Sequence, residues 1–341
     1  MYIEVYSLCH RGIVRPKNQD NLLCFDTLAD IQESEFNHCG VYSTYSPSLF
    51  GVFDGMGGHL CGEKASEIVA TTAKKMSQNY EGGNPEKLLA GICQRSNEII
   101  CDEMTNVVKG RMGSTASMIL FEKNRFQLCN LGDSPVFLVK DNGIKRISCE
   151  HTERQNYERI FGKNYEKNKK FRLTQHLGIF PDEMEISPYF ATDTIESGDI
   201  FLLCSDGLTD MVELDEILNI ILKSDSVKSA GEKLLSVALA NGGKDNITII
   251  IGKVIEENNN LQNKSWQNNI SKNKKRKISP IFILCAIVFL IVALTVGSLI
   301  YMWNDKNNGD IRGNSLSEAI STLDETSGIP QDFTKNVDAH K

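Results

Sequence analysis

The ten cysteines of this 341-residue chain include no CxxC pair and are scattered from Cys9 to Cys285. Neither zinc-ligand spacing nor a small disulfide framework is available to it, and reduced thiols are the simplest expectation. Positive charge is also in deficit. With 37 Lys and Arg against 44 Asp and Glu, the formal net charge is −7, which argues against a general nucleic-acid binder, because phosphate backbones are held by clustered cations. A basic partner, or a metal that needs carboxylates, fits the balance better. The N-terminal MYIEVYSLCHRG has no basic patch followed by an apolar run and no small-residue cleavage site, so it does not read as a secretory signal. No internal repeat is visible.

What is present suffices for one sizeable core: 41% of residues are hydrophobic and 24% charged. From Ile278 to Trp303 no residue is charged, and Ile281 to Trp303 as a helix would span about 34 Å, enough to cross a bilayer. The run is apolar all round, with Tyr301 and Trp303 where interfacial aromatics belong. Lys272, Lys274, Lys275, Arg276 and Lys277 stand just before it, while acids outnumber bases after it. The positive-inside rule then expects residues 1–277 in the cytoplasm and 304–341 outside, with the basic cluster against lipid headgroups. Residues 256–277, rich in Asn, Gln, Lys and Ser, read as a linker. Gly297 and Ser298 form no GxxxG, so the span carries no dimer signal.

Residues 1–255 mix two periodicities. Leu49 to Phe53, Ser117 to Phe121, Phe126 to Asn130, Val136 to Val139, Ile200 to Cys204 and Ile247 to Val254 predict strands. Helical spacing appears at Ala65, Ile68, Thr72 and Met76, at Leu88, Leu89, Ile92, Ile99 and Ile100, and at Ala230, Leu234, Val237 and Ala238. The interleaving predicts an α+β domain without fixing its topology.

Carboxylates recur beside Gly or Asn at the ends of apolar runs: Asp20 in RPKNQD, Asp54 in FGVFDGMGG, Asp133 in CNLGDS, Asp206 in FLLCSDGLTD and Asp245 in GGKDNIT. One Asp-Gly after a strand is ordinarily just a turn. Several such ends aimed into one cleft make an oxygen-donor site for hard cations.

In this order the segments Arg11 to Asp20, Val52 to His59, Gly113 to Ala116, Leu131 to Ser134, Ser205 to Asp210 and Lys244 to Thr248 resemble the metal-dependent (type 2C, PPM) protein Ser/Thr phosphatases, especially the bacterial branch. The resemblance covers roughly residues 5 to 254. It implies a four-layer α-β-β-α sandwich and a centre of two Mn²⁺ or Mg²⁺ ions, in which Asp54 bridges the metals, Gly55 offers its carbonyl, and Asp206 and Asp245 complete the coordination. Asp20 would hold water beside the pair, Arg15 would bind the phosphate, and Asp133 and Asp210 match positions serving a third metal. Such a centre acidifies water so that no protein nucleophile is needed. Asn246, Thr248 and Gly113 to Thr115 are expected to be structural.

The chain departs from the pattern at Met56, which occupies the slot where animal members carry a proton-donating His. His59 and His151 are expected to be structural, and a metal-held water is the expected acid. The flap, about His151 to Thr174, is short and basic (Lys163, Lys167, Lys169, Lys170, Arg172). The implied partners are phosphorylated proteins and a membrane Ser/Thr kinase acting on them. Two other readings stay open: a phosphoprotein-binding module without catalysis, which the intact carboxylates disfavour, and the same chemistry acting on regulators of sigma factors.

Overall fold

Seven of the nine residues in Ile247–Ile255 are β-branched and eight are buried or half-buried. Such a run is stiff at χ1 and packs well on both faces of a sheet, and in the computed structural model it lies in the interior of one. The structure describes residues 1–257 except 31–34, 58–60, 109 and 163–169. The expected membrane span, the tail and nearly all of the linker lie outside the described residues, as do His59, Lys163, Lys167 and Lys169. Among the described residues no helix is long and apolar enough to cross a membrane.

Two antiparallel sheets form the domain. The first is ordered β10 (Gly143–Arg146), β9 (Val136–Lys140), β12 (Ile200–Cys204), β13 (Ile247–Ile255), β1 (Tyr2–His10) and β4 (Glu35–Ser43). The second runs β11 (Tyr189–Thr194), β8 (Arg125–Leu131), β7 (Ala116–Glu122), β5 (Ser48–Gly57), β2 (Asp20–Cys24) and β3 (Thr27–Leu28), with β6 (Met112–Ser114) paired to the far end of β5. The helices are α1 (Gly62–Gln78), α2 (Pro85–Glu103), α3 (Arg154–Phe161), α4 (Asp206–Thr209), α5 (Leu214–Leu222) and α6 (Val227–Ala240). Asn84 caps α2 by accepting from the Lys87 amide, with Pro85 in the first turn where its missing N–H costs nothing; Ser226 caps α6 through the Ser229 amide.

Three apolar clusters show how the layers stack. One joins α1 and α2 to the second sheet, including Val69, Leu89, Ile92 and Met118. Another lies between the sheets, including Val5, Phe50, Phe121, Phe201 and Ile250. The third joins α5 and α6 to the first sheet, including Tyr6, Ile217, Leu234 and Ile249. This is the α-β-β-α order that the resemblance implied. The nine described cysteines are free.

Aromatic rings stitch the two sheets together. Phe50 meets Phe121 edge-on at 5.8 Å, Phe121 meets Phe201 of the opposite sheet at 5.1 Å, and Phe201 meets Phe126 at 5.3 Å. Edge-to-face geometry adds to the area these rings bury. Truncation by Phe121→Ala is expected to cost about 3–5 kcal/mol of unfolding free energy through the cavity it leaves, read from the urea midpoint at unchanged denaturant slope.

Candidate metal centre

Strand β5 changes partner around Asp54. Its first half pairs with β7 and its last three residues with β6, and Asp54 falls between the two ladders. Thr115, the residue between β6 and β7, closes the gap: its hydroxyl accepts from the Asp54 amide at 3.0 Å, and its own amide donates to the Asp54 carbonyl at 2.9 Å. Opposite, in the β2–β5 register, Asp20 faces Asp54 directly. Like charges in such a pair repel, and burial aggravates the repulsion. Desolvation above all, followed by Asp20 and Asp206, holds the Asp54 carboxyl well above its ordinary range. Asp20 is pushed up to about 7, first by burial and then by Asp206 and Asp245, even though Thr248 and Ser205 donate to it.

Two strand ends of the other sheet complete the cluster. Asp206 follows β12 and opens α4; Asp245 precedes β13. Gly207 is required between them, because a Cβ there would lie 1.9 Å from the Asn246 carbonyl oxygen. Gly55 is equally constrained, its absent Cβ falling 2.1 Å from the Gly62 carbonyl oxygen. Asp54, Gly55, Asp133, Asp206 and Asp245 line one recess of about 240 Å³ together with Arg15 and Lys170. Asp133 is raised to about 7 by burial and by Asp206, and Asp206 is raised mainly by burial. Asp20 stands just behind, its carboxylate accepting from Thr248 Oγ1 at 2.7 Å.

Asn246 and Thr248 hold this assembly. The Asn246 amide donates to the carbonyls of Arg11 and Lys17 at 2.7 and 2.9 Å and accepts from the Gln19 amide at 2.8 Å, fixing the loop that carries Arg15. The Arg15 guanidinium donates to Asp245 Oδ2 at 2.7 Å. His151 accepts from the Gly132 amide through Nδ1 at 3.1 Å, which secures the turn before Asp133. Thr115 and Ser134 share a 2.8 Å hydroxyl contact.

Among the described residues, no three His, Cys, Asp or Glu side chains are drawn around one point as a formed cation cage. A cation stands there nonetheless. Lys170 Nζ lies 3.1 Å from Asp206, 3.3 Å from Asp210 and 3.4 Å from Asp245. A donor set of carboxylates and a backbone carbonyl, short of positive charge and already drawing in an ammonium, fits hard divalent cations. The placement of Lys170 could not be read from sequence, since 36 residues separate it from Asp206 and 75 from Asp245. Sequence reasoning also missed His176, which lines a second recess of about 430 Å³ with Met56, Arg111 and Glu183.

The sequence profile of the family "Protein phosphatase 2C" matches residues 21–247. The chain belongs to that family. Among relatives, the "Serine/threonine protein phosphatase PstP" of Mycobacterium tuberculosis is 30% identical over 256 residues, covering 72% of this chain and 44% of its own length. This chain thus spans less than half of that relative. The "Serine/threonine phosphatase stp" of Listeria welshimeri is 28% identical over 71% of this chain and 92% of its own. A solved catalytic domain of PstP in complex with two manganese ions superposes with a TM-score of 0.62 at 27% identity, covering 75% of this chain and all of that one. The Streptococcus agalactiae serine/threonine phosphatase, 21% identical with a TM-score of 0.63, shares the fold over 74% of this chain and 99% of its own.

The crowded carboxylates of this type 2C phosphatase domain imply a pH dependence in chelator. Asp20 and Asp133, at about 7 in the fold against 3.8 ordinarily, contribute stability that is present below about pH 4 and lost as pH rises to about 7. Burial pushes His10 and His151 down, so they act in the opposite sense. Calorimetry from pH 5 to 8 should therefore show wild type losing melting temperature relative to Asp20→Asn, with Mn²⁺ narrowing the gap at pH 8.

Proposed function

We propose that this chain is a metal-dependent protein Ser/Thr phosphatase that removes phosphate from phosphoserine and phosphothreonine in proteins. The observation that carries this reading is the convergence of Asp54, Asp206 and Asp245, from strands or strand ends of two sheets, on a recess that Arg15 also lines, with Asp20 paired to Asp54 behind it. Asp54, Gly55, Asp206 and Asp245 would hold two Mn²⁺ or Mg²⁺ ions, Asp20 would orient water beside them, and Asp133 and Asp210 would serve a third. When bound, such ions supply concentrated positive charge and make water acidic enough to attack phosphorus near neutral pH. Arg15, now on Asp245, offers a planar two-pronged donor that orients phosphate oxygens and offsets charge growing on them. Asp54 is catalytic in holding the centre at the break between two ladders, where its backbone cannot drift. Thr248 keeps the Asp20 carboxylate in one orientation.

The same reading extends to the cell. Residues 1–255 form the catalytic domain on the cytoplasmic side, 256–277 a basic linker near lipid headgroups, 278–303 a membrane helix, and 304–341 an outer tail. Support comes from the uncharged run Ile278 to Trp303 and the cations before it. The tether would keep the domain at the surface where a membrane Ser/Thr kinase and its substrates work.

Two measurements test this. Phosphate release from a phosphothreonine peptide by the full chain in detergent is expected with Mn²⁺ or Mg²⁺ and not with chelator, and to fall by on the order of a hundredfold or more in Asp54→Asn and Asp206→Asn. A folded, metal-loaded chain that releases nothing from several phosphopeptides would refute the catalytic reading. For the anchor, the full chain should sediment with membranes after a carbonate wash, and a chain ending at residue 277 should stay in the supernatant.

A further inference from the structure

Beside the acidic recess lies a second hollow of about 220 Å³, lined by Arg15, Lys170, Lys244, Asp210, Asp245 and Met211 with Gly207. Arg15, Lys170 and Asp245 belong to both hollows, which are therefore contiguous. Three cationic side chains thus surround a space with two carboxylates. Arg15 and Lys170 are 47% and 60% exposed, and Lys244 is exposed, so all three can meet a ligand from solvent.

The charge of this hollow depends on what occupies its neighbour. Arg15 and Lys170 now direct their charge at Asp245 Oδ2, and Lys170 also at Asp206 and Asp210. With Asp206 and Asp245 serving divalent cations and Arg15 engaged on the phosphoryl group, Lys170 and Lys244 would be left facing the hollow with positive charge to spare. A concave, partly enclosed patch of one sign attracts and orients groups of the opposite sign.

From this, and resting on the phosphatase reading above, we infer that the hollow lined by Arg15, Lys170 and Lys244 is a second anion subsite, taking an acidic side chain or second phosphoryl group next to the phosphoresidue being cleaved. The preferred substrate class is accordingly a phosphopeptide with an anionic neighbour. Lys244 reads that neighbour most directly, since it has no role in the centre itself.

The test is equilibrium binding of fluorescent phosphonate peptides, which cannot be hydrolysed, to the full chain in detergent with Mn²⁺. Three peptides differ only beside the phosphonate, carrying Gln, Glu or a second phosphothreonine analogue. Wild type is expected to bind both anionic peptides about fivefold or more tighter than the Gln peptide, the margin of one or two solvent-exposed ion pairs, and the margin should shrink at high salt. Tighter binding of the doubly charged peptide alone would assign the subsite to phosphoryl groups; equal gain for both would assign it to any anion. Lys244→Glu should abolish or reverse the margin while leaving metal-dependent cleavage of p-nitrophenyl phosphate unchanged. If wild type cleaves p-nitrophenyl phosphate yet binds all three peptides alike, or if the margin survives in Lys244→Glu, the subsite is refuted and the phosphatase reading stands. A folded chain that neither cleaves nor binds refutes both.

Discussion

Asp20 and Asp54, buried and facing each other across β2 and β5, are the arrangement on which the rest of the molecule depends. Two carboxylates placed so close without a matching cation oppose folding by repulsion and by lost hydration. Everything around them limits that penalty. Thr248 reaches across from the other sheet to hydrogen-bond Asp20, Thr115 locks the Asp54 backbone on both sides, and Lys170 supplies an ammonium to the outer acids. The sandwich between the sheets, with its edge-on phenylalanines, supplies the apolar burial that lets the chain tolerate a site so poorly compensated.

The division between sandwich and site also accounts for what could be read from the sequence. The carboxylates were legible because each stands at an abrupt change, an apolar run ending in Asp beside Gly or Asn, and the structure brings Asp54, Asp133, Asp206 and Asp245 to one recess with Asp20 behind it. Strands that are unbroken apolar runs, such as the cores of β7 and β12, or dense in β-branched residues, as β13 is, were equally plain. Others were not. In β1, Glu4, Ser7 and His10 dilute the apolar signal although most of the strand is buried between two neighbours; in β4 an edge position leaves Glu35, Asn37 and Cys39 exposed, and their polarity hides the strand. The short α5 was also missed, although Leu214, Ile217, Leu218 and Ile221 recur at helical spacing within it. Lys170 was legible as part of a basic segment, but its seat among Asp206, Asp210 and Asp245 is a product of tertiary folding.

The structural residues around the site carry as much of its design as the acids. Asn246 satisfies three backbone groups of the Arg11–Gln19 loop, so Arg15 is carried on a loop fixed at its base while its own side chain stays half in solvent. Gly55 and Gly207 let neighbouring backbone come closer than any other residue would permit. These contacts explain why the motifs extend several residues beyond each carboxylate: a ligand is of use only when its backbone has a single place to be.

One further consequence follows from the position of β13. The last strand of the domain lies between β12 and β1, pairing Ile255 with Tyr2, and it brings Thr248 to Asp20. During synthesis β1 must therefore wait for the much later β13 before the first sheet can close, a topology of long-range contacts that folds slowly. A partly made chain has neither a finished first sheet nor a supported Asp20, so the acidic recess takes shape only when β13 is in place.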